Sequence, residues 1–248
     1  MSLNCVTITG ADDETDSQAL QELSARYPFV EWGILIGSEV GQRFPSVEWI
    51  QRLIKCREAS DNAMKLSLHV CGRPLREIAS GVSHLDKALG QALYAFQRVQ
   101  LNWHGVRMAD GVRANVLDAF CGLDGFGWAP TLIFQLDGIN DELYREAARR
   151  FDCVGLLDRS HGAGIMPKEW PSRHPLICCG WAGGLGPENL EAEIPRIQVN
   201  ALKSFGFWID METNVRTDDG QRLDLERVNQ CLQIASKFVD VDTPAVTR

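Results

Sequence analysis

A chain of 248 residues with 23% charged and 45% hydrophobic side chains has the composition of a soluble globular protein, long enough for one large α/β domain or two small ones. Its net charge of −8 opposes a general affinity for nucleic acid or an anionic membrane surface, and no apolar run approaches the length of a membrane span. A small-molecule partner is the class left, since an acidic protein can still build a local positive pocket for an anion. The N-terminal MSLNCVTITG has no secretory character, and the eight cysteines lack Cys-x-x-Cys spacing, which suits free buried thiols in a reducing cytoplasm. Composition sets no oligomeric state.

Short apolar, β-rich runs alternate with segments of helical period. In chain order the runs are 5–10, 30–37, 65–72, 98–105, 131–138, 153–160, 176–183 and 205–212. Helical patterns follow at 17–27, 47–58, 76–96, 113–122, 141–151, 188–198 and 224–239, while the interval between the sixth and seventh runs is short, bears prolines and predicts no proper helix. No seam divides residues 1–248, so one domain is expected. Eight strand-helix units at this length indicate a single (β/α)8 (TIM) barrel. A doubly wound open sheet competes, but its dinucleotide-binding forms would need a Gly-x-Gly-x-x-Gly turn after the first strand, which is absent.

In such a barrel the chemistry sits at the C-terminal ends of the strands, with a phosphate site often after the seventh and eighth. There WAGGLGPENL (181–190) leaves a strand through Gly183 and Gly184 and enters a helix through Pro187, a plausible anion cradle and equally a tight turn. The other strand ends carry Thr7, Thr9, Arg43, His69, His104, Gln135, Asp137, Asp158, Asp210 and Glu212. Asp137 before Gly138 also suits a turn, and His69 on an apolar strand also suits a hydrogen-bonded core histidine. Asp158 closes the apolar run VGLL, where a carboxylate needs a partner or a task. Neither His-x-His nor His-Glu-x-x-His spacing occurs, so no metal and no other cofactor is expected.

The segments LLDRSHGAG, ICCGWAGGLGPENLEAEI and FWIDMETNVRTDDGQRLDLERV, with weaker echoes in TITG, WGILIG then GQRFPS, and VQLNWHG, resemble phosphoribosylanthranilate isomerase of tryptophan biosynthesis. The resemblance spans most of the chain, with its specific motifs in the last hundred residues or so. It implies a single (β/α)8 barrel that opens a sugar ring and moves a double bond, with Asp158 as general acid. The family's base is the cysteine of Lys-Ile-Cys-Gly; here the stretch is Thr7-Ile8-Thr9-Gly10, and a threonine hydroxyl does not ionise at neutral pH. His69 or Asp137 would have to replace it. The family's eighth strand ends Asp-x-Ser-Ser-Gly-x-Glu, whereas this chain reads Asp210-Met211-Glu212-Thr213-Asn214-Val215-Arg216. A Glu212 carboxylate roughly 4 Å from a phosphate would cost on the order of 1 to 4 kcal/mol unless Arg216 or another cation offset it. Asn214 is expected to adopt the left-handed conformation in place of glycine. Arg43 resembles an arginine that the family sets near its substrate.

The leading expectation is therefore a divergent isomerase doing acid–base chemistry on a small sugar or sugar phosphate. Asp158, Asp137, His69 and Thr9 are its catalytic candidates, and Arg43, Gly183, Gly184, Asp210, Glu212, Asn214 and Arg216 its binding candidates. The alternatives are a metal-dependent aldolase or lyase that uses Asp137, Asp158, Asp210 or Glu212, and a non-catalytic metabolite-binding barrel.

Overall fold

A computed structural model describes residues 2–61, 64–80, 85–103, 130–136, 138–139, 141–160, 162–172, 178–201 and 206–239. Each of the eight apolar runs marks one strand, the first of which starts two residues ahead of its run: β1 Leu3–Thr9, β2 Val30–Ile36, β3 Lys65–Val70, β4 Arg98–Leu101, β5 Thr131–Gln135, β6 Cys153–Asp158, β7 Cys179–Ala182 and β8 Phe207–Met211. Every neighbouring pair is parallel, and β8 closes on β1 with Thr7 opposite Asp210, so the sheet is a closed barrel. A single (β/α)8 barrel is the fold.

Helices α1 (Ser17–Arg26) and α2 (Val47–Glu58) start where Asp16 and Ser46 accept the backbone N–H of Gln18 and Trp49. The helical pattern at 76–96 splits into α3 (Gly72–Ala79), α4 (Leu85–Leu89) and a 3-10 turn over Gly90–Ala95. Ser80 ends α3 by bonding back to Arg76 and Glu77, and Gly90 stands at φ 54, outside the helical region. Helices α5 (Asp141–Ala147), α6 (Leu190–Asn200) and α7 (Leu225–Ala235) complete the outer layer. The helix expected at 113–122 lies outside the described residues. Between β6 and β7 no described residue is helical, as the proline-bearing interval predicted.

Strand alternation sorts side chains to two sides of the wall. Val6, Ile8, Trp32, Ile34, Leu66, Leu68, Val99, Leu132, Phe134 and Ile209 belong to the large apolar core shared with the helices. Burying each such side chain stabilises the fold by roughly 1.5 to 3 kcal/mol. The indoles of Trp32 and Trp49 are satisfied there by Ser24 Oγ and the Thr15 carbonyl, both at 2.8 Å. The inner side is mixed. Ile133, Leu156 and Trp208 form a small apolar cluster from β5, β6 and β8, whereas β1 to β4 contribute Thr7, Thr9, Glu31, Ser67, His69, Arg98 and Gln100. None of the seven described cysteines is in a disulfide, as expected, but only Cys71, Cys179 and Cys231 are buried.

Candidate active site

Glycine makes the polar half of the interior possible. A Cβ at Gly33 on β2 would overlap Thr9 Oγ1 and lie 2.7 Å from His69 Cε1, so its absence lets side chains of β1 and β3 meet over β2. Below them the Glu31 carboxylate accepts the Thr7 hydroxyl at 2.9 Å and pairs with Arg98 Nε at 3.2 Å. The Arg98 guanidinium lies over the Trp208 ring, 4.5 Å from its centroid, and Gly180 leaves the room that this indole fills. Arg98 is thereby held in the lower barrel by charge and ring contacts, while its Nε and one terminal nitrogen have no hydrogen-bond partner among the described groups.

Above this layer Asp210 accepts the Thr9 hydroxyl at 2.9 Å through Oδ1 and faces Gln100 Nε2 at 3.5 Å through Oδ2. The same Gln100 nitrogen reaches Asn102 Oδ1 at 3.0 Å and His69 Nδ1 at 3.3 Å, three acceptors for two N–H bonds. Asn102 donates in turn to Cys71 Sγ at 3.2 Å. Burial pushes the Asp210 carboxyl up to about 7; the bonds from Thr9 and Gln100 oppose the rise, and the charges of Glu212 and Glu31 add to it. Desolvation, with the nearby Arg98 charge, pushes His69 down to about 3, so its imidazole is neutral at physiological pH. Burial raises the Cys71 thiol to about 11, which leaves it protonated.

These groups open into a cleft of about 100 Å³ at the C-terminal end of the barrel. His69, Gln100, Asn102, Gln135, Asp158, Asp210 and Glu212 line it together with Arg43, Phe44, Gly183, Gly184 and Asn214. Of the sequence candidates, Thr9 supports the cleft from beneath, through Asp210, and Asp137 lies outside the described residues. Asp158 accepts Ser160 N–H at 2.9 Å and Ser160 Oγ–H at 2.7 Å on Oδ1, and Gly162 N–H at 2.7 Å on Oδ2. All three bonds come from its own turn, so the carboxyl both faces the cleft and anchors the loop after β6.

The turn after β7 is held from outside. Gly184 O accepts the amides of Asn214 at 2.7 Å and Asn189 at 2.8 Å, and Asn189 Oδ1 takes the Gly186 N–H at 3.0 Å. Gly183 and Gly184 have φ of 128 and 65, and a Cβ on Gly184 would stand 2.8 Å from Met166 Cα. No described acceptor takes the Gly183 or Gly184 N–H. Pro187 lies in the turn 187–189, which the Leu190 N–H closes on Gly186 O at 3.0 Å; α6 itself begins at Leu190 with Asn189 as its N-cap, three residues later than the sequence suggests.

Two expectations are corrected. Asn214 is not left-handed: the positive-φ non-glycine residues described are Gln42 and Asp61, and Asn214 lies in a 3-10 turn, Thr213–Val215, where its amide can reach Gly184 O. Arg216 does not offset Glu212. Its buried guanidinium donates to the carbonyls of Gly10 at 2.7 Å, Gln221 at 2.8 Å and Gly220 at 2.9 Å, and stands 3.7 Å from Asp12. It clamps the loops after β1 and β8. Arg43 pairs with Glu212 instead, at 2.7 Å across the mouth.

Gln100 and Asn102 were not singled out by sequence reasoning. Their signal was the polar alternation in VQLN, with two amides two residues apart, Gln100 on β4 and Asn102 just past its end. Among the described residues no group of three or more His, Cys, Asp or Glu side chains is arranged to hold a metal ion, and no helix is long and apolar enough to cross a membrane.

No family model and no curated protein matches the chain. Solved structures do. A truncated form of 3-deoxy-D-arabino-heptulosonate 7-phosphate synthase from Thermotoga maritima aligns over 95% of this chain and 86% of its own, with 12% identity and a TM-score of 0.52. The YdjI aldolase from Escherichia coli K12 aligns over 95% of this chain and 88% of its own, with 9% identity and a TM-score of 0.54. At these identities the likeness is one of fold, a barrel matched over nearly the full chain.

Proposed function

We propose that the chain is an acid–base enzyme of aldolase or lyase type acting on a small phosphorylated, hydroxylated carbonyl compound, with Asp210 as the group that moves the proton. The observation that carries this reading is Asp210 itself: a buried carboxyl at the floor of the cleft, bonded by neutral Thr9 and Gln100 and poised at about 7. A carboxyl in that range exchanges protons at neutral pH in either direction. As carboxylate it takes the proton of a substrate hydroxyl; the carbon–carbon bond beside the hydroxyl-bearing carbon breaks, and the electron pair passes to the carbonyl to give an enolate. The same carboxyl then returns the proton to the enolate carbon. No lysine is among the described residues lining the cleft, and this step uses no covalent imine. Gly183 and Gly184 at the rim suit the phosphate, their N–H groups having no described protein acceptor. The two structural neighbours, a 7-phosphate synthase and an aldolase, are consistent with this chemistry.

A divergent isomerase is the second reading, favoured by Asp158 standing at the cleft wall as the resemblance to phosphoribosylanthranilate isomerase implies. It ranks lower because the Thr9 hydroxyl is spent on Asp210 and the Asp158 oxygens accept from their own turn. Incubating the protein with a panel of sugar phosphates and following products by phosphorus NMR and mass spectrometry separates the two. Fragments of lower carbon number, lost in Asp210→Asn, are expected. A product of unchanged mass, lost in Asp158→Asn, would install the isomerase, and turnover of phosphoribosylanthranilate at an ordinary enzyme rate would do the same. Binding without any conversion would leave a metabolite-binding barrel.

A further inference from the structure

We infer that the floor of the cleft selects an uncharged, hydroxylated end of its ligand and rejects a carboxylate, with His69 Nε2 as the contact that reads it. This deepens the proposed function and rests on its phosphorylated substrate, whose anionic end belongs at the Gly183–Gly184 rim. Three independent observations carry it. His69 is 1% exposed, lines the cleft, and its Nε2 has no hydrogen-bond partner among the described groups. A buried imidazole nitrogen left unpaired forfeits a hydrogen bond, which a ligand hydroxyl or carbonyl would restore. The nitrogen also lies beside bare Gly33, where a Cβ would come within 2.9 Å of it.

The second observation is the chemistry of the surrounding groups. Gln100 and Asn102 present neutral amides beside the imidazole, and the same Gln100 amide faces Asp210, a carboxyl. The third is where the cations are. Arg43 is the one Lys or Arg among the described lining residues, and it is tied to Glu212 at 2.7 Å at the mouth; Arg98, inside the barrel, is tied to Glu31 at 3.2 Å below. A ligand carboxylate brought to the floor would meet Asp210 with no unpaired Lys or Arg among the described lining residues to offset it, and a buried charge without a partner is strongly disfavoured. Aldehydes, ketoses and polyols fit this floor. Compounds with a 2-oxo acid or other carboxylate at the reacting end do not.

A matched pair tests the inference on the full chain: glycerol 3-phosphate and 3-phosphoglycerate share the phosphate and differ at the far end in a hydroxymethyl against a carboxylate. Titration calorimetry should give at least tenfold tighter binding of glycerol 3-phosphate, and the nitrogen-15 resonance of His69 Nε2, assigned by its loss in His69→Asn, should shift with that ligand alone. Equal or tighter binding of 3-phosphoglycerate, or binding of glycerol 3-phosphate without a shift at His69, overturns the inference while leaving proton transfer by Asp210 untouched. If neither phosphate ester binds, the phosphate part of the proposed function fails. Xylitol against xylonate then decides the inference by the same resonance: a shift with xylitol alone upholds it, and a shift with xylonate or with neither overturns it.

Discussion

Glu31 near the lower end of the barrel interior and Asp210 near its mouth are both buried carboxyls, 3% and 9% exposed, but only Glu31 has a cation against it. Glu31 has Arg98 at 3.2 Å and the Thr7 hydroxyl at 2.9 Å; Asp210 has a threonine, an amide and a neutral imidazole in its neighbourhood, and is pushed up to about 7. Pairing locks a charge in place, whereas burial among neutral donors leaves a proton free to come and go. Such a division between a stabilising lower end and a reactive upper end is general to this fold. Here one wall, β1 to β4, supplies most of both layers.

The sharpest way to break the comparison is Asp210→Asn. Turnover on the substrate found by product screening should fall by roughly 10² to 10⁴-fold, with melting temperature unchanged or raised. Full activity in this variant would move the proton-transfer role elsewhere. Arg98→Met attacks the lower end instead and leaves Glu31 buried without its cation, with the Thr7 hydroxyl as its remaining described partner. With the Thr7 hydroxyl still bonded to Glu31, it should cost up to about 3 to 5 kcal/mol, read as a fall in Tm of up to roughly 6 to 20 °C. A Tm within about 2 °C of the parent would show that Glu31 does not depend on its cation.

The pH dependence of stability sharpens the contrast. Asp210, raised from 3.8 to about 7, keeps its proton in the folded state after the unfolded chain has lost its own, so its contribution declines as pH rises through that window. His69, lowered from 6.5 to about 3, stays neutral in the folded state while the unfolded chain takes a proton, so its contribution is lost as pH falls from 6.5 towards 3. Between pH 4 and 6.5 the two slopes oppose. Denaturant unfolding of Asp210→Asn should therefore show stability climbing with pH across this window more steeply than in the parent, and His69→Asn should show it climbing less or falling. Parallel curves for all three proteins would contradict both shifts.

Gly33→Ala probes how the upper end is assembled. Its methyl overlaps Thr9 Oγ1 and crowds His69, so a loss of about 1 to 3 kcal/mol is expected together with a displaced pH optimum as Asp210 loses its Thr9 bond. A stable variant with the parent pH profile would mean that the β1 to β3 contact is dispensable. Arg43→Ala should do least to folding. The pair with Glu212 is 45% and 24% exposed and contributes no more than about 1 kcal/mol, so Tm should barely move while KM changes a few-fold.

The architecture was legible because its signals are local and repeated. Period-two and period-3.6 apolar patterns located all eight strands and matched α2 to its end residues, and the prolines between β6 and β7 marked the connection without a described helix. Local pattern misled where a break outweighed the period, as in the segment that became α3, α4 and a 3-10 turn around Gly90. For the cleft, strand-end position alone led to His69, Asp158, Asp210 and Glu212, since alternation and the barrel's polarity decide which end and which face a residue occupies.

Sequence could not assign partners, because partnership depends on distances between strands far apart in the chain. Arg43 and Arg216 are both arginines in loops near the mouth, and only the closed barrel sets Arg43 against Glu212 while turning Arg216 onto the carbonyls of Gly10, Gly220 and Gln221. Thr9 reads as a lost base from its motif; across the barrel seam its hydroxyl is the bond that holds Asp210, 201 residues away. Composition and periodicity thus determined the barrel and the end that carries its chemistry, since burial of apolar faces is an additive property of short segments. Which carboxyl is paired, which is left to titrate, and which nitrogen is left without a partner were decided by the tertiary structure alone, because electrostatics and hydrogen bonding act between side chains that only closure of the sheet brings together.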